Sequence, residues 1–189
     1  MDVIKNKVSS VFFQYSIPSV LGMLAISSAS IVDGYFIGNY VGDLGLAAIN
    51  ISLPTFSLLF GLSLMLAIGG SVTSGKLIGE KDIKNASLIF TKTVICIIGF
   101  SFIICFLLFI NIETILYLLG SNDDLIKISM EYMSILLIFL PFLMIGVVLD
   151  YFVRVDNRPN LAFIALLSSG VINVVLDWFL IVYLEKGIF

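Results

Sequence analysis

Asp33, Asp150 and Asp177 each interrupt a long apolar stretch, and Asn173 precedes Asp177 by one helical turn. An Asp at the centre of a membrane-spanning helix costs roughly 2.5–3.5 kcal/mol on the insertion scale. Such a group is functional by default. No Lys or Arg lies in the cores of these stretches to neutralise the acids. Two carboxylates and an amide at one depth make an oxygen-rich cluster, which suits a hard cation. Two close carboxylates in a low dielectric cannot both be ionised cheaply, so such a pair can hold a proton or exchange it for a cation.

The elements that position these residues follow from the spacing of charge. Uncharged stretches cover 8–32, 44–75, 93–112, 132–149 and 159–176. A spanning helix needs roughly 20 mostly apolar residues, and backbone in hydrocarbon must bond to itself. The chain therefore reads as an all-α integral membrane protein with five transmembrane helices, at about 11–38, 47–75, 86–110, 132–153 and 160–183. Spans 1 and 5 run in the same direction. Asp33 lies five residues before Gly38 and Asp177 six before Tyr183, so at ~1.5 Å per residue both sit roughly 8–9 Å below the same membrane face. Asn173 shares the helix face of Asp177, one turn deeper. Hydration of both acids at headgroup level is the alternative, and an interhelical hydrogen bond is the alternative for Asn173. Asp150 sits near the opposite end of its span, where an i,i+4 pair with Arg154 explains it as well as a secondary ion site does.

Composition excludes much else. The 189 residues are 60% apolar and 12% charged, with no histidine, against about 25% charged in a soluble chain. Five spans leave no room for a soluble catalytic domain of ~100 residues. Without His there are no Ser-His-Asp triads and no His-metal sites. No nucleophile–base set, resident cofactor or certain metal site is legible, so the chain does not read as an enzyme. A net charge of −3 gives no nucleic-acid footprint. Cys96 and Cys105 lie ~13 Å apart along one span, too far to bridge, and read as core or lipid-facing residues. The N-terminal stretch outlasts the 7–15 residues of a signal-peptide core and reads as a retained span.

Lys5, Lys7, Lys76, Lys81, Lys84, Lys92, Arg154 and Arg158 fall on one side of the membrane, and Lys127 and Lys186 on the other. The positive-inside rule puts the N-terminus in the cytoplasm and the acids near the outer face. Lys92 lies inside span 3 and can snorkel toward the near surface. Gly34/Gly38 and Gly75/Gly79 are GxxxG pairs that suit close helix packing. The many Ser and Thr of spans 1 and 2 either line a cavity or bond helices together. A short surface helix is expected in the loop 111–131 from Asp123 onward, capped by Ser121 or Asn122.

With these residues in view, the chain resembles the N-terminal portion of the MATE (multidrug and toxic compound extrusion) transporters. The resemblance rests on Phe13-Gln-Tyr-Ser-Ile-Pro-Ser-Val-Leu-Gly22, Ile31-Val-Asp-Gly-Tyr-Phe-Ile-Gly38 and Leu44-Gly-Leu-Ala-Ala48. It continues through the turns Gly79-Glu-Lys-Asp82 and Arg154-Val-Asp-Asn-Arg-Pro159, then Asn173-Val-Val-Leu-Asp177. It implies the N-terminal lobe of a twelve-helix, two-lobe secondary antiporter of the cell membrane. That protein would export cationic or amphipathic small molecules in exchange for Na⁺ or H⁺. It also implies that Asp33, Asn173 and Asp177 form the cation or proton site. The family tends to carry an amide where this chain has Asp150. Helix 6 and the second lobe are not in the sequence, so a second lobe is the expected partner and the chain alone is not expected to transport. A lipid-linked sugar flippase of the same superfamily and a non-transporting membrane assembly protein are the alternatives.

The orientation is open to cysteine labelling. In intact cells, an impermeant maleimide should reach Asp123→Cys and miss Lys81→Cys, and labelling of Lys81→Cys would reverse the topology.

Overall fold

The computed structural model describes residues 8–40 and 42–183. Among them every element is helical: α1 (Val8–Tyr40), α2 (Asp43–Gly79), α3 (Ile83–Ile110), α4 (Ile112–Leu118), α5 (Ile126–Val155) and α6 (Pro159–Asp177), the last running on into a π-helical segment, Trp178–Tyr183. Five are long and apolar enough to cross a membrane, over Phe12–Asn39, Asp43–Gly79, Ile83–Ile110, Ile126–Val155 and Pro159–Leu180. α2 and α5 begin several residues ahead of the expected spans because charged residues do not end a helix that has left the hydrocarbon. Asp43 opens α2, and Lys127 and Glu131 lie in the first turns of α5.

The loop between α3 and α5 corrects an expectation. Its surface helix is α4, which precedes Gly120 rather than following Asp123. Asn122 does act as a cap, its Oδ1 accepting from the Leu125 N–H at 3.0 Å, but the turn it starts leads directly into α5. Ser121 is buried and its hydroxyl has no partner.

Two short turns at the other end of the bundle share one geometry. Lys81 and Asn157 adopt left-handed φ values of 64° and 58°. After α2, Asp82 N–H bonds to Leu77 O (2.9 Å) and Lys81 N–H to Ile78 O (3.0 Å). After α5, Arg158 N–H bonds to Val153 O and Asn157 N–H to Arg154 O, both at 3.2 Å. These paired bonds cap the last carbonyls of each helix and reverse the chain tightly. Asp82 then caps α3 through the Asn85 N–H at 3.2 Å, and Pro159 opens α6, where its missing N–H costs nothing.

Packing divides the spans into a trio and a pair. α2, α3 and α5 surround the core, which includes Leu59, Ile97, Cys105, Met133, Leu137, Met144 and Val148, while α1 packs chiefly on α6. The buried face of α2 is mostly small: Gly45, Ala48, Ser52, Thr55, Ser63, Ala67, Ser71 and Ser74 among them. In hydrocarbon, close backbone approach replaces the hydrophobic effect as the source of helix association. Several of the hydroxyls here bond to carbonyls, and Ser74 both bonds and lines a cleft between α2, α3 and α5. Ser52 and Ser63 donate to the carbonyls of Ala48 and Leu59 in their own helix, and Ser74 donates across to Ala86 O of α3 at 3.2 Å.

The tightest approach is not at either GxxxG pair. A Cβ on Gly34 or Gly79 would meet open space, whereas one on Gly70 would collide with the side chain of Thr93 on α3. Thr93 is branched at Cβ and its hydroxyl is bonded to Ile89 O, so it cannot swing aside. Gly70→Ala should therefore destabilise the chain by about 1–3 kcal/mol, read as a lowered melting temperature in detergent, and Thr93→Ala should restore most of the loss. Gly99→Ala, which fills open space, should be neutral or stabilising by up to ~1 kcal/mol. Equal melting of the Gly70 and Gly99 variants would disprove the contact.

Candidate functional site

The α1–α6 pair sets the site. Gly170 lies against Ala25 and Ala29 of α1, where an added Cβ would stand 3.5 Å from the Ala25 carbonyl oxygen. The two helices run in the same direction, so residues equally far beyond this contact share a level. Asp33 is eight residues beyond Ala25 and Asp177 seven beyond Gly170, or ~12 Å and ~10.5 Å along parallel axes. Both carboxyl groups are half-buried, and each lies close enough for the charge of Asp33 to act on Asp177.

A third group joins them. Tyr132, near the start of α5, is also half-buried and within electrostatic reach of Asp33. Its residue type alone does not single it out in the sequence. The available signal was its depth: the fourth span runs opposite to the first, so a polar side chain at its beginning returns to the level of Asp33 and Asp177. The phenol adds a neutral oxygen that can donate or accept.

Oδ2 of Asp177 is buried and has no hydrogen-bond partner. Buried polar atoms are almost always satisfied, so each exception calls for an explanation; the hydroxyls of Ser121 and Ser129 are the other buried atoms without a partner among the described residues. Among the described residues no Lys or Arg forms an ion pair with Asp33 or Asp177, and no group of three or more His, Cys, Asp or Glu could hold a metal. What lies within electrostatic reach of one another is two carboxylates, with a phenol near Asp33. Asn173 is exposed, one turn from Asp177 on α6; the structure puts it on the same helix end without enclosing it. Such a set can hold one proton between two acids, or a small monovalent cation among oxygen ligands. The π-helical segment starts at the residue after Asp177, and π geometry inside helices recurs at functional sites.

Asp150 stands apart. It is eighteen residues along α5 from Tyr132, or ~27 Å of helix. Arg154 grips it with two bonds, Nε to Oδ2 at 2.9 Å and Nη2 to Oδ1 at 3.2 Å. Arg154 Nη1 also donates to Ser19 Oγ of α1 at 2.6 Å, and Tyr15 OH donates to Asn157 Oδ1 at 2.6 Å. Of the two sequence readings of Asp150, the structure holds the ion pair, and it uses that pair to join α5 to α1. The guanidinium link to Ser19 was not legible because the two residues are 135 positions apart.

Comparison with known proteins agrees with this architecture. The MatE family model matches residues 18–179. Multidrug export protein MepA of Staphylococcus saprophyticus is 28% identical over 178 residues, covering 94% of this chain and 39% of that protein. Multidrug export protein MepA of Staphylococcus aureus is 25% identical over 177 residues, with the same coverage. A crystal structure of MATE in complex with MaD3S superposes with a TM-score of 0.88 at 23% identity, covering 93% of this chain and 39% of that one. An outward-facing multidrug resistance MATE family transporter of the MOP superfamily superposes at 0.87 and 23% identity, again over 93% of this chain and 39% of that one. The chain thus spans about two fifths of the length of the relatives it matches, and it has the fold of their N-terminal lobe.

The Asp150–Arg154 pair can be measured separately from the acid pair. Their side chains are 21% and 20% exposed, so solvent screens them only in part. A double-mutant cycle of Asp150→Asn and Arg154→Gln should return a coupling of about 0.5–1 kcal/mol in thermal stability. Ser19→Ala should lower stability in the Arg154 parent but not in the Arg154→Gln background. A Ser19→Ala loss that persists undiminished in the Arg154→Gln background would mean that the guanidinium does not hold α1 to α5.

Proposed function

We propose that this chain, which belongs to the MatE family, works as the N-terminal lobe of a secondary antiporter that exports cationic or lipophilic compounds in exchange for Na⁺ or H⁺. Family membership supports a multi-pass membrane transporter rather than an enzyme. The observation that carries the coupling role is the unpartnered, buried Oδ2 of Asp177 beside Asp33 and Tyr132. In this reading Asp33 and Asp177 share a proton or bind the cation, Tyr132 supplies a neutral oxygen, and Asn173 turns in from the exposed face when the ion is bound. A second lobe closes against the open face, and transported compounds sit between the lobes. Ion and substrate are coupled because each favours a different conformation of the same protein. The N-terminus is cytoplasmic and the acid pair lies near the outer face of the cell membrane, in accord with the distribution of basic residues.

The experiment is efflux from proteoliposomes by a two-lobe protein carrying this chain. Extrusion of a cationic dye should follow an imposed Na⁺ or H⁺ gradient, and the gradient that drives it names the ion. Asp33→Asn and Asp177→Asn should each abolish coupling while expression survives, because a neutral amide is cheaper to insert than a charge. Asp150→Asn should be milder. If Na⁺ is the ion, its apparent affinity should fall as pH falls, since protons compete for the same oxygens. Normal transport by both the Asp33 and Asp177 variants, with loss on Asp150→Asn alone, would move the site to the other end of the bundle.

A further inference from the structure

We propose that the surface where α3 meets α5, at the end of the bundle opposite the acid pair, is a binding site for one anionic phospholipid. Lys84, Ser87, Leu88, Thr91 and Lys92 follow i, i+3, i+4, i+7, i+8 spacing and so form one face of α3. All five are exposed and form an open surface on one side of α3 with no acidic residue among them. Sharing Ser87 with it is a cleft of about 410 Å³ between the ends of α2, α3 and α5. Its wall is largely apolar and includes Phe90, Leu149, Phe152 and Val153. Phe90 and Phe152 meet edge-to-face across it, with ring centroids 5.0 Å apart. The one acid there, Asp156, is paired with Arg158 at 3.1 Å.

Charge complementarity selects the occupant. α3 is the most apolar of the five spans, and Ile95, Ile98, Phe102, Ile103 and Phe106 continue outward from it as exposed apolar side chains. Lys92 therefore stands at the margin of a lipid-facing surface, ten residues into the helix, and neither it nor Lys84 has an acidic partner among the described residues. An ammonium there must reach toward the headgroups, and an anion supplied by the bilayer compensates it best. The two lysines are ~12 Å apart along the axis. Snorkelling of Lys92 back toward Lys84 brings both charges to one phosphate level. Ser87 lies on the same surface with its hydroxyl unspent, whereas Thr91 donates to Ser87 O at 3.0 Å. The phosphate lies over the Lys84–Ser87–Lys92 face, and an acyl chain fills the cleft lined by Phe90 and Leu149. Lysines at the end of a transmembrane helix, beside a cleft between helices, favour acidic lipids over zwitterionic ones.

The test is native mass spectrometry of the delipidated full chain in detergent. It is titrated with phosphatidylglycerol, with phosphatidylcholine of the same acyl chains, and with glycerol phosphate as a headgroup lacking a tail. Phosphatidylglycerol should bind roughly thirtyfold more tightly than phosphatidylcholine, as two surface lysines imply. Lys84→Gln with Lys92→Gln should remove that preference at unchanged melting temperature, and the double Arg variant should keep it. Leu149→Trp, which fills the cleft, should weaken phosphatidylglycerol binding. Equal binding of the two lipids, or a preference that survives the double Gln variant, would overturn the proposal. So would glycerol phosphate competing as well as the intact lipid, or a dimer whose formation displaces the lipid from this face.

Discussion

Hydrocarbon offers a backbone no hydrogen-bonding partner, and the rest of this structure depends on that constraint. It makes every long element a helix, because only a helix satisfies its own N–H and C=O groups within one segment. It also explains why so many hydroxyls of α1 and α2 bond back to carbonyls of their own helix, as Ser19, Ser52 and Ser63 do. A serine that turned its oxygen toward lipid would carry the same penalty as an open backbone group. Against that background, Asp177 Oδ2 stands out as a buried carboxylate oxygen with no hydrogen-bond partner.

The same solvent weakens the force that would hold helices together in water. Lipid tails are as apolar as leucine, so burying one large side chain against another gains little. Small residues set the geometry instead. The α2 stripe lets α3 and α5 close in, and Gly70 sits so near Thr93 that no other residue fits without a shift. Gly22 does the same for α1 against Leu166 of α6, and Gly170 of α6 makes an ordinary close contact with Ala25. The level of the acid pair is a by-product of that second contact: once Ala25 and Gly170 touch, two parallel helices carry Asp33 and Asp177 to one height.

The sequence made much of this legible, for a physical reason. Charge is excluded from hydrocarbon, so the positions of Asp33, Lys76, Glu113, Asp150 and Asp177 mark the bounds of the spans and the intrusions into them. Depth along a helix is simple arithmetic, which is why the acid pair could be chosen before any fold was known. Azimuth is not. Which side of a helix faces a neighbour depends on contacts between residues far apart in the chain, so neither the approach of Tyr132 to Asp33 nor the bond from Arg154 to Ser19 could be read. The GxxxG spacing is half right for the same reason: Gly38 and Gly75 pack against Leu46 and Val155, while Gly34 and Gly79, with the same period, face open space. The loop helix is displaced because the Asn122 side chain caps only a turn, and the helix that follows, α5, starts at Ile126.

The seam between the trio and the pair is closed differently at its two ends. At one end the Arg154 guanidinium ties α5 to α1 through Ser19. At the other, Asp33 of α1 and Asp177 of α6 have no cationic partner among the described residues, and Tyr132 of α5 lies within electrostatic reach of Asp33. α1 thus carries a direct bond to α5 near its start and an uncompensated acid near its end. A bond at one end of a helix opposes sliding of that helix along its axis more than tilting about the bond.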